Sequence, residues 1–192
     1  MTTLQRCGWC GDDAQYIAYH DEEWGRPVHD EHKLFEMLIL EGAQAGLSWI
    51  TILRKRDNYR RVFHDFDPVK VAAMTAGDVE RLLLDPGIVR NRLKVNSAIR
   101  NARVFLAMQQ QYGSFAGWLW QHVDGQPVVN HWGSLSECPA STPLSDRISK
   151  ALKKHGMNFV GSTVIYAFLQ ATGVVNDHLT GCPCHPRHHA PQ

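Results

Sequence analysis

The first place in this 192-residue chain where chemistry could be concentrated is a single carboxylate set among apolar residues. In the run Glu31-His32-Lys33-Leu34-Phe35-Glu36-Met37-Leu38-Ile39-Leu40-Glu41, the positions Leu34, Met37, Leu38, Glu41 and Ala45 recur at helical spacing on one face. Glu41 therefore lies in line with apolar neighbours, where an ionised carboxylate is expensive unless something pairs with it. Gly42 and Gly46 open the helix end, and Ser48 is placed to cap a second helix beginning at Trp49. A carboxylate, a glycine-bounded turn and a tryptophan within nine residues suggest a pocket mouth. On pattern alone the same residues also suit a rim carboxylate that snorkels to water beside a core tryptophan.

A second set of reactive side chains sits at the two ends of the chain. His178-x3-Cys182 places two zinc ligands four residues apart, and Cys7 and His20 lie in the N-terminal segment. Two thiolates and two imidazoles suit tetrahedral zinc, which would tie an N-terminal arm to the C-terminal tail. Cys7-x2-Cys10 with Cys182-x-Cys184 forms a rival all-cysteine set, and His185, His188 and His189 are nearby. Neither H-E-x-x-H nor the deaminase pattern H-x-E…P-C-x-x-C occurs, so the spacing favours a structural over a catalytic metal. Five cysteines, an odd number, argue against a disulfide framework.

The elements that must position these groups read as all-α. Asp30 caps the helix leading to Glu41, and Ser48 to Phe63 forms the next, with Trp49, Ile52, Leu53 and Tyr59 inward and Arg54, Lys55, Arg56, Arg60 and Arg61 outward. Short helices follow from Asp67-Pro68 to Met74 and from Ala76 to Leu84; a long one runs to Tyr112, stopped by Gly113. Ser114–His122, Pro143–His155 and an apolar Gly161–Thr172 complete the helices. Residues 1–30 read as an irregular aromatic-rich arm, and Asp124–Thr142 as a surface loop; no strand shows clean alternation. The expected organisation is one unit over 1–192, with a helical body at about 30–175 and a zinc-joined arm (1–29) and tail (176–192). Hydrophobic content of 44% is that of an ordinary soluble globule. No apolar run of about 18 residues or signal core is present, so a cytoplasmic location without membrane contact is expected; a monomer is the default.

Charge is unevenly spread. Residues 1–50 carry 3 basic and 9 acidic side chains, and residues 51–110 carry 12 and 6, so a net +1 hides a basic middle third suited to a polyanion. Within it, Asp85-Pro86-Gly87-Ile88-Val89-Arg90-Asn91-Arg92 reads as the turn of a helix–hairpin–helix. Open backbone amides around Gly87, with Arg90, Arg92 and Lys94, would hold DNA phosphate there.

Several long blocks carry a resemblance. They include Cys7-Gly8-Trp9, Tyr16-Ile17-Ala18-Tyr19-His20-Asp21-x-Glu23-Trp24-Gly25, Leu40-Glu41-Gly42-x-Gln44-Ala45-Gly46-Leu47-Ser48-Trp49, Phe66-Asp67-Pro68-Val69-Lys70-Val71-Ala72 and Val175-Asn176-Asp177-His178. From Cys7 to Cys184 the chain resembles the DNA-3-methyladenine glycosylase I family. The resemblance implies a helix–hairpin–helix glycosylase fold and one structural Zn2+ held by Cys7, His20, His178 and Cys182. It implies a base pocket of Glu41, Tyr19 and Trp49 with Tyr16, Trp9 and Trp24 nearby. It further implies excision of 3-methyladenine from alkylated duplex DNA by base flipping, in base excision repair and without a lyase step. Arg90 stands where the wider superfamily often has a second glycine. No Asp or Glu occurs from Pro86 to Val123, so the carboxylate most of that superfamily uses after its hairpin is absent. Leu47, on the glycine-flanked turn with Gln44 beside it, is the candidate to wedge into the gap left by a flipped nucleotide. Two rivals remain on residues alone: a non-catalytic DNA-binding module and a small-molecule metal hydrolase.

Overall fold

Ten consecutive residues, Leu34 to Ala43, are buried in the helix α2 (Glu31–Gln44), and the other elements are arranged around it. The computed structural model describes residues 5–189, so the extreme ends of the expected arm and tail lie outside the described residues. Among the described residues, α1 (Ala14–Glu22) precedes α2, and α3 (Trp49–Val62), α4 (Pro68–Ala72), α5 (Ala76–Leu82), α6 (Arg92–Tyr112), α7 (Phe115–Gln121), α8 (Pro143–His155) and α9 (Ser162–Ala171) follow. The class is all-α, as the periodicity indicates.

Both faces of α2 are covered. α9 packs on one side, and α3, α6 and α7 on others. Glu36, on the face opposite Glu41, stays buried because Arg60 of α3 pairs with it at 2.8 Å. Core rings continue the packing from Phe35 to Phe105 (5.2 Å) and on to Phe115 (4.5 Å, stacked). Glu31 accepts hydrogen bonds from the amides of Phe115 and Ala116 at 2.7 and 2.9 Å, which fixes α7 by its positive end to the start of α2.

The N-terminal arm is more regular than its sequence suggests. A 3-10 turn over Gly8–Cys10 leads into α1, whose N-cap Asp13 accepts from the Tyr16 amide at 3.0 Å. Glu23, just past α1, accepts from Lys33 at 3.1 Å and from both terminal nitrogens of Arg56 at 2.7 and 2.8 Å. These pairs press α1 onto α2 and α3 and hold the Glu23 carboxyl down at about 2 despite its burial. Arg56 is thus largely enclosed, not outward as expected.

The expected surface loop also carries structure. β1 (Val128–Val129) pairs in parallel with β2 (Val175–Asn176), in the register Val128↔Val175 and Val129↔Asn176. A 3-10 turn follows at Leu135–Glu137. Two-residue strands have no room for an alternating pattern, which is why the sequence hid them. No helix among the described residues is long and apolar enough to cross a membrane.

After α9 the chain must pass close against the segment following α1. Gly173 adopts φ +68, and a Cβ there would lie 2.2 Å from the Arg26 backbone. Gly173→Ala combines a left-handed strain with overlap against backbone that has little room to move. The expected outcome is a loss of about 3 kcal/mol or more of stability, read from the urea midpoint at unchanged slope.

Candidate functional site

α1 places Tyr16 and Tyr19 one turn apart, facing the end of α2. Trp9, from the preceding 3-10 turn, is the hub of the ring cluster: its centroid lies 5.1 Å from Tyr16, 4.9 Å from Trp24 and 6.4 Å from Tyr19. Tyr19 in turn sits 5.4 Å from Trp49, the first residue of α3. With Glu41 and Gln44 of α2 these rings line a cavity of about 260 Å³. The structure therefore brings together all six residues expected of the pocket. The opposite wall was missed: it consists of Leu135 and Cys138, from the segment read as a loop, with Ala167, Gln170 and Asp177. Only a glutamine on an otherwise apolar helix and an aspartate next to His178 hinted at it.

Glu41 is 4% exposed, and burial alone pushes its carboxyl from the ordinary 4.5 up to about 8. Its Oε2 and the Nε1 of Trp49 are the two buried side-chain polar atoms without a hydrogen-bond partner among the described residues. An orphaned acceptor and an orphaned donor lining one aromatic cavity match a planar ligand with a polar edge. Burial, then the nearby Glu41, also holds the Tyr19 phenol well above its ordinary value, so that ring stays neutral.

The mouth is built on the turn after α2. Gly46 takes φ +81, which turns Leu47 outward to 40% exposure. Ser48 heads α3, but its hydroxyl pairs with that of Thr51 at 2.8 Å rather than with a backbone amide. Lys94 donates to the carbonyls of Ala43 and Ala45 at 2.9 and 2.6 Å, closing the C-terminal end of α2. A smaller cavity of about 180 Å³ separates Glu41, Gln44 and Leu47 from Thr163, Val164 and Ala167. α9 is accordingly not buried all round: Thr163 is exposed and Val164 half-buried.

The turn before α6 departs from its expected role. The Gly87 amide donates to Asp85 at 2.7 Å, the Val89 amide to the Tyr59 hydroxyl at 3.1 Å, and the Lys94 amide to Asn91 at 3.1 Å. Arg92 is paired with Glu80 and Lys94 with the end of α2, so Arg90 is the exposed cation left there. The amides of Gly87, Val89 and Lys94 in this hairpin are thus internally satisfied. The hairpin of α8 and α9 offers what this one lacks, since α9 is headed by Gly161 with no side-chain cap and its first turn borders the cavity mouth.

Behind the ring cluster, Cys7, His20, His178 and Cys182 bring four buried donor atoms within 4.8 Å of one another. Cys7 and Cys182 each lie 3.7 Å from His178 Nδ1, and Cys182 lies 3.6 Å from His20 Nε2. Bonds of about 2.3 Å to sulfur and 2.0–2.1 Å to nitrogen around a tetrahedral zinc give sulfur–nitrogen edges of about 3.6 Å, so the donor set fits. The outer shell is equally specific. His20 Nδ1 meets Asp21 at 2.7 Å, His178 Nε2 meets the Trp24 carbonyl at 2.9 Å, and the amides of Leu179 and Cys184 donate to the two sulfurs at 3.4 Å. Of the rival cysteines, Cys10 turns to the Cys7 carbonyl and Cys184 toward Asp21. The cysteine–histidine cluster and the cavity share a wall: His20 lies 5.2 Å from Trp9, and His178 4.7 Å from Trp24.

The raised carboxyl sets a pH signature. Because the folded protein keeps the Glu41 proton up to about 8 while the unfolded chain releases it near 4.5, this residue's contribution is fully present below 4.5 and is lost as pH rises through 8. Glu41→Gln is expected to remove that slope, leaving the variant more stable than wild type at pH 9 by up to about 4 kcal/mol. Urea melts of both proteins between pH 5 and 9 measure it.

The sequence profile of the methyladenine glycosylase family matches residues 9–185. The chain is 57% identical over 183 residues to DNA-3-methyladenine glycosylase 1 of Escherichia coli (strain K12), covering 95% of this chain and 98% of that protein. It is 48% identical to DNA-3-methyladenine glycosylase of Haemophilus influenzae, covering 96% and 98% respectively. A crystal structure of 3-methyladenine DNA glycosylase I (TAG) superposes with a TM-score of 0.93 at 59% identity, covering 95% of this chain and 100% of that one. The 3-methyladenine DNA glycosylase I (TAG) from Staphylococcus aureus, solved for its recognition of 3-methyladenine, superposes with a TM-score of 0.93 at 39% identity, covering 97% and 100%. A profile match from Trp9 to His185 and relatives this similar over nearly their full length establish that the chain belongs to the methyladenine glycosylase family.

Proposed function

We propose that the chain is a DNA-3-methyladenine glycosylase of base excision repair, which flips the alkylated nucleotide out of duplex DNA and hydrolyses its N-glycosidic bond. The observation that carries this reading is the unpartnered Glu41 carboxylate facing the same aromatic cavity as the unpartnered Trp49 indole N–H. Relatives that bear this activity in their names support it.

Methylation at N3 makes the purine cationic while it is attached to the sugar, and the glycosidic bond is weakened accordingly. When the carbon–nitrogen bond breaks, its electron pair neutralises the departing base, so no general acid is required. Water then adds to the sugar carbon and leaves an abasic site. The rings of Tyr19 and Trp49 attract the cation, at about 0.5–2 kcal/mol each. Glu41, protonated in the free protein, gives up its proton as the cation enters, balances the purine's charge and accepts hydrogen bonds from its exocyclic amine. Because these contacts hold the reactant as well as the transition state, they select the lesion more than they accelerate its cleavage. The enzyme is monofunctional, releasing the base by hydrolysis without a covalent lyase step.

Leu47 enters the gap left by the flipped nucleotide, with Gln44 beside it. The amides at the head of α9, and Arg90 further along, meet the phosphates. Cys7, His20, His178 and Cys182 hold one structural zinc; bound there it joins the arm (1–29) to the tail (176–192) and makes the chain one unit. Held by all four side chains, an ion there would keep no open position for substrate, which disfavours a metal hydrolase.

Three outcomes are expected. Glu41→Gln lowers excision of 3-methyladenine about 10–100-fold, from roughly 1–3 kcal/mol of lost charged hydrogen bonding, while affinity for abasic DNA stays near normal; equal losses would contradict a pocket role. Leu47→Ala slows single-turnover excision from duplex by about tenfold with free-base affinity unchanged, and equal behaviour to wild type would remove the wedge. One zinc per chain is found by elemental analysis, and Cys182→Ser lowers both the melting temperature and the affinity for free base, because His20 and His178 back the pocket rings.

A further inference from the structure

We propose that Gln170, oriented by Asp177, is a specificity-determining residue: its amide oxygen reads the exocyclic amine at the 6-position of the bound purine and rejects a 6-carbonyl. This rests on the reading of the cavity as a purine site.

Asp177 is 2% exposed and accepts hydrogen bonds from four side chains drawn from separate parts of the chain. Asn130 Nδ2 donates at 2.7 Å, Trp132 Nε1 at 3.0 Å and Gln170 Nε2 at 2.9 Å, and the Tyr166 hydroxyl completes the set. Burial, then the bond to Asp177, pushes the Tyr166 phenol up, so it keeps its proton and acts as the donor. With its acceptor positions filled by donors, Asp177 has no capacity left to act on substrate. Its effect is on orientation.

For Gln170 the consequence is definite. A glutamine amide has a donor end and an acceptor end of nearly the same shape, and its environment decides which faces where. Here the nitrogen is committed to a carboxylate, which takes only donors. The oxygen receives no hydrogen bond among the described residues, and the side chain lines the cavity. The cavity therefore offers acceptors on two walls, Glu41 from α2 and Gln170 from α9. A 6-amino group has two hydrogens to give. A 6-carbonyl has none and would set lone pair against lone pair, the asymmetry from which sites built to hydrogen-bond a ligand draw large discrimination.

The test compares 3-methyladenine with 3-methylhypoxanthine, which differs at the 6-position, by tryptophan-fluorescence titration of the zinc-loaded protein. Wild type is expected to prefer 3-methyladenine by at least tenfold. Gln170→Met, which keeps an unbranched side chain, should lower 3-methyladenine affinity about tenfold without lowering that for 3-methylhypoxanthine, so the preference falls at least tenfold. Asp177→Asn, which lets the amide turn, should move the ratio the same way at unchanged zinc content. Ratios measured on one preparation are independent of its folded fraction. Equal losses for both bases in Gln170→Met, or an unchanged ratio, would overturn the assignment. A wild type that binds neither base would overturn the purine reading itself.

Discussion

A carboxylate removed from water with nothing to pair with it is the constraint on which this molecule depends. Leaving Glu41 unpaired is unfavourable for folding, and the fold supports it because α2 is held on every side. On the opposite face of the same helix Glu36 is buried with an arginine against it. One helix thus carries two enclosed glutamates in contrasting states. The paired one joins α2 to α3, and the unpaired one awaits a partner from outside. In the function proposed above, a cationic purine would supply the charge and hydrogen bonds that the protein withholds, and the free energy of desolvating Glu41 would become discrimination against neutral bases.

The aromatic wall needs its own support, and it comes from the chain ends. Tyr16 and Tyr19 share the short α1 with His20, so one nine-residue helix supplies two of the cavity rings and one member of the cysteine–histidine cluster. Short helices are marginal alone. This one is fixed by the Asp13 cap, by Glu23 between Lys33 and Arg56, and by the cysteine–histidine cluster behind it. Asp177 does the same for the far wall, drawing Asn130 and Trp132 onto α9. Neither wall is a continuous element. Each is made of short pieces whose position comes from cross-links.

Much of this was legible in the sequence. Capping residues and stop signals mark the helices well: Pro143–His155 is legible to the residue, and Asp67 and Gly113 act at the ends where they are expected. The grouping of Glu41 with the rings and of the two cysteines and two histidines comes largely from resemblance, since spacing alone leaves an all-cysteine set open. What could not be read were features set by tertiary contact. Two-residue strands carry no period, and α1 is too short and too mixed for a clear face. The hairpin before α6 has the charge and turn residues of a phosphate site, yet Asp85, Tyr59 and Asn91 occupy its amides. Only the folded chain shows which hairpin borders the cavity.

The most direct measurement is the titration of the Glu41 carboxyl itself, by carbon NMR of glutamate-labelled protein with Glu41→Gln to assign the resonance. In the free protein a midpoint near 8 is expected, moving well below neutrality when a non-cleavable duplex presents a cationic purine mimic. A free-protein midpoint at the ordinary 4.5, unmoved by that duplex, would show a hydrated side chain and contradict selection of the lesion by a desolvated charge.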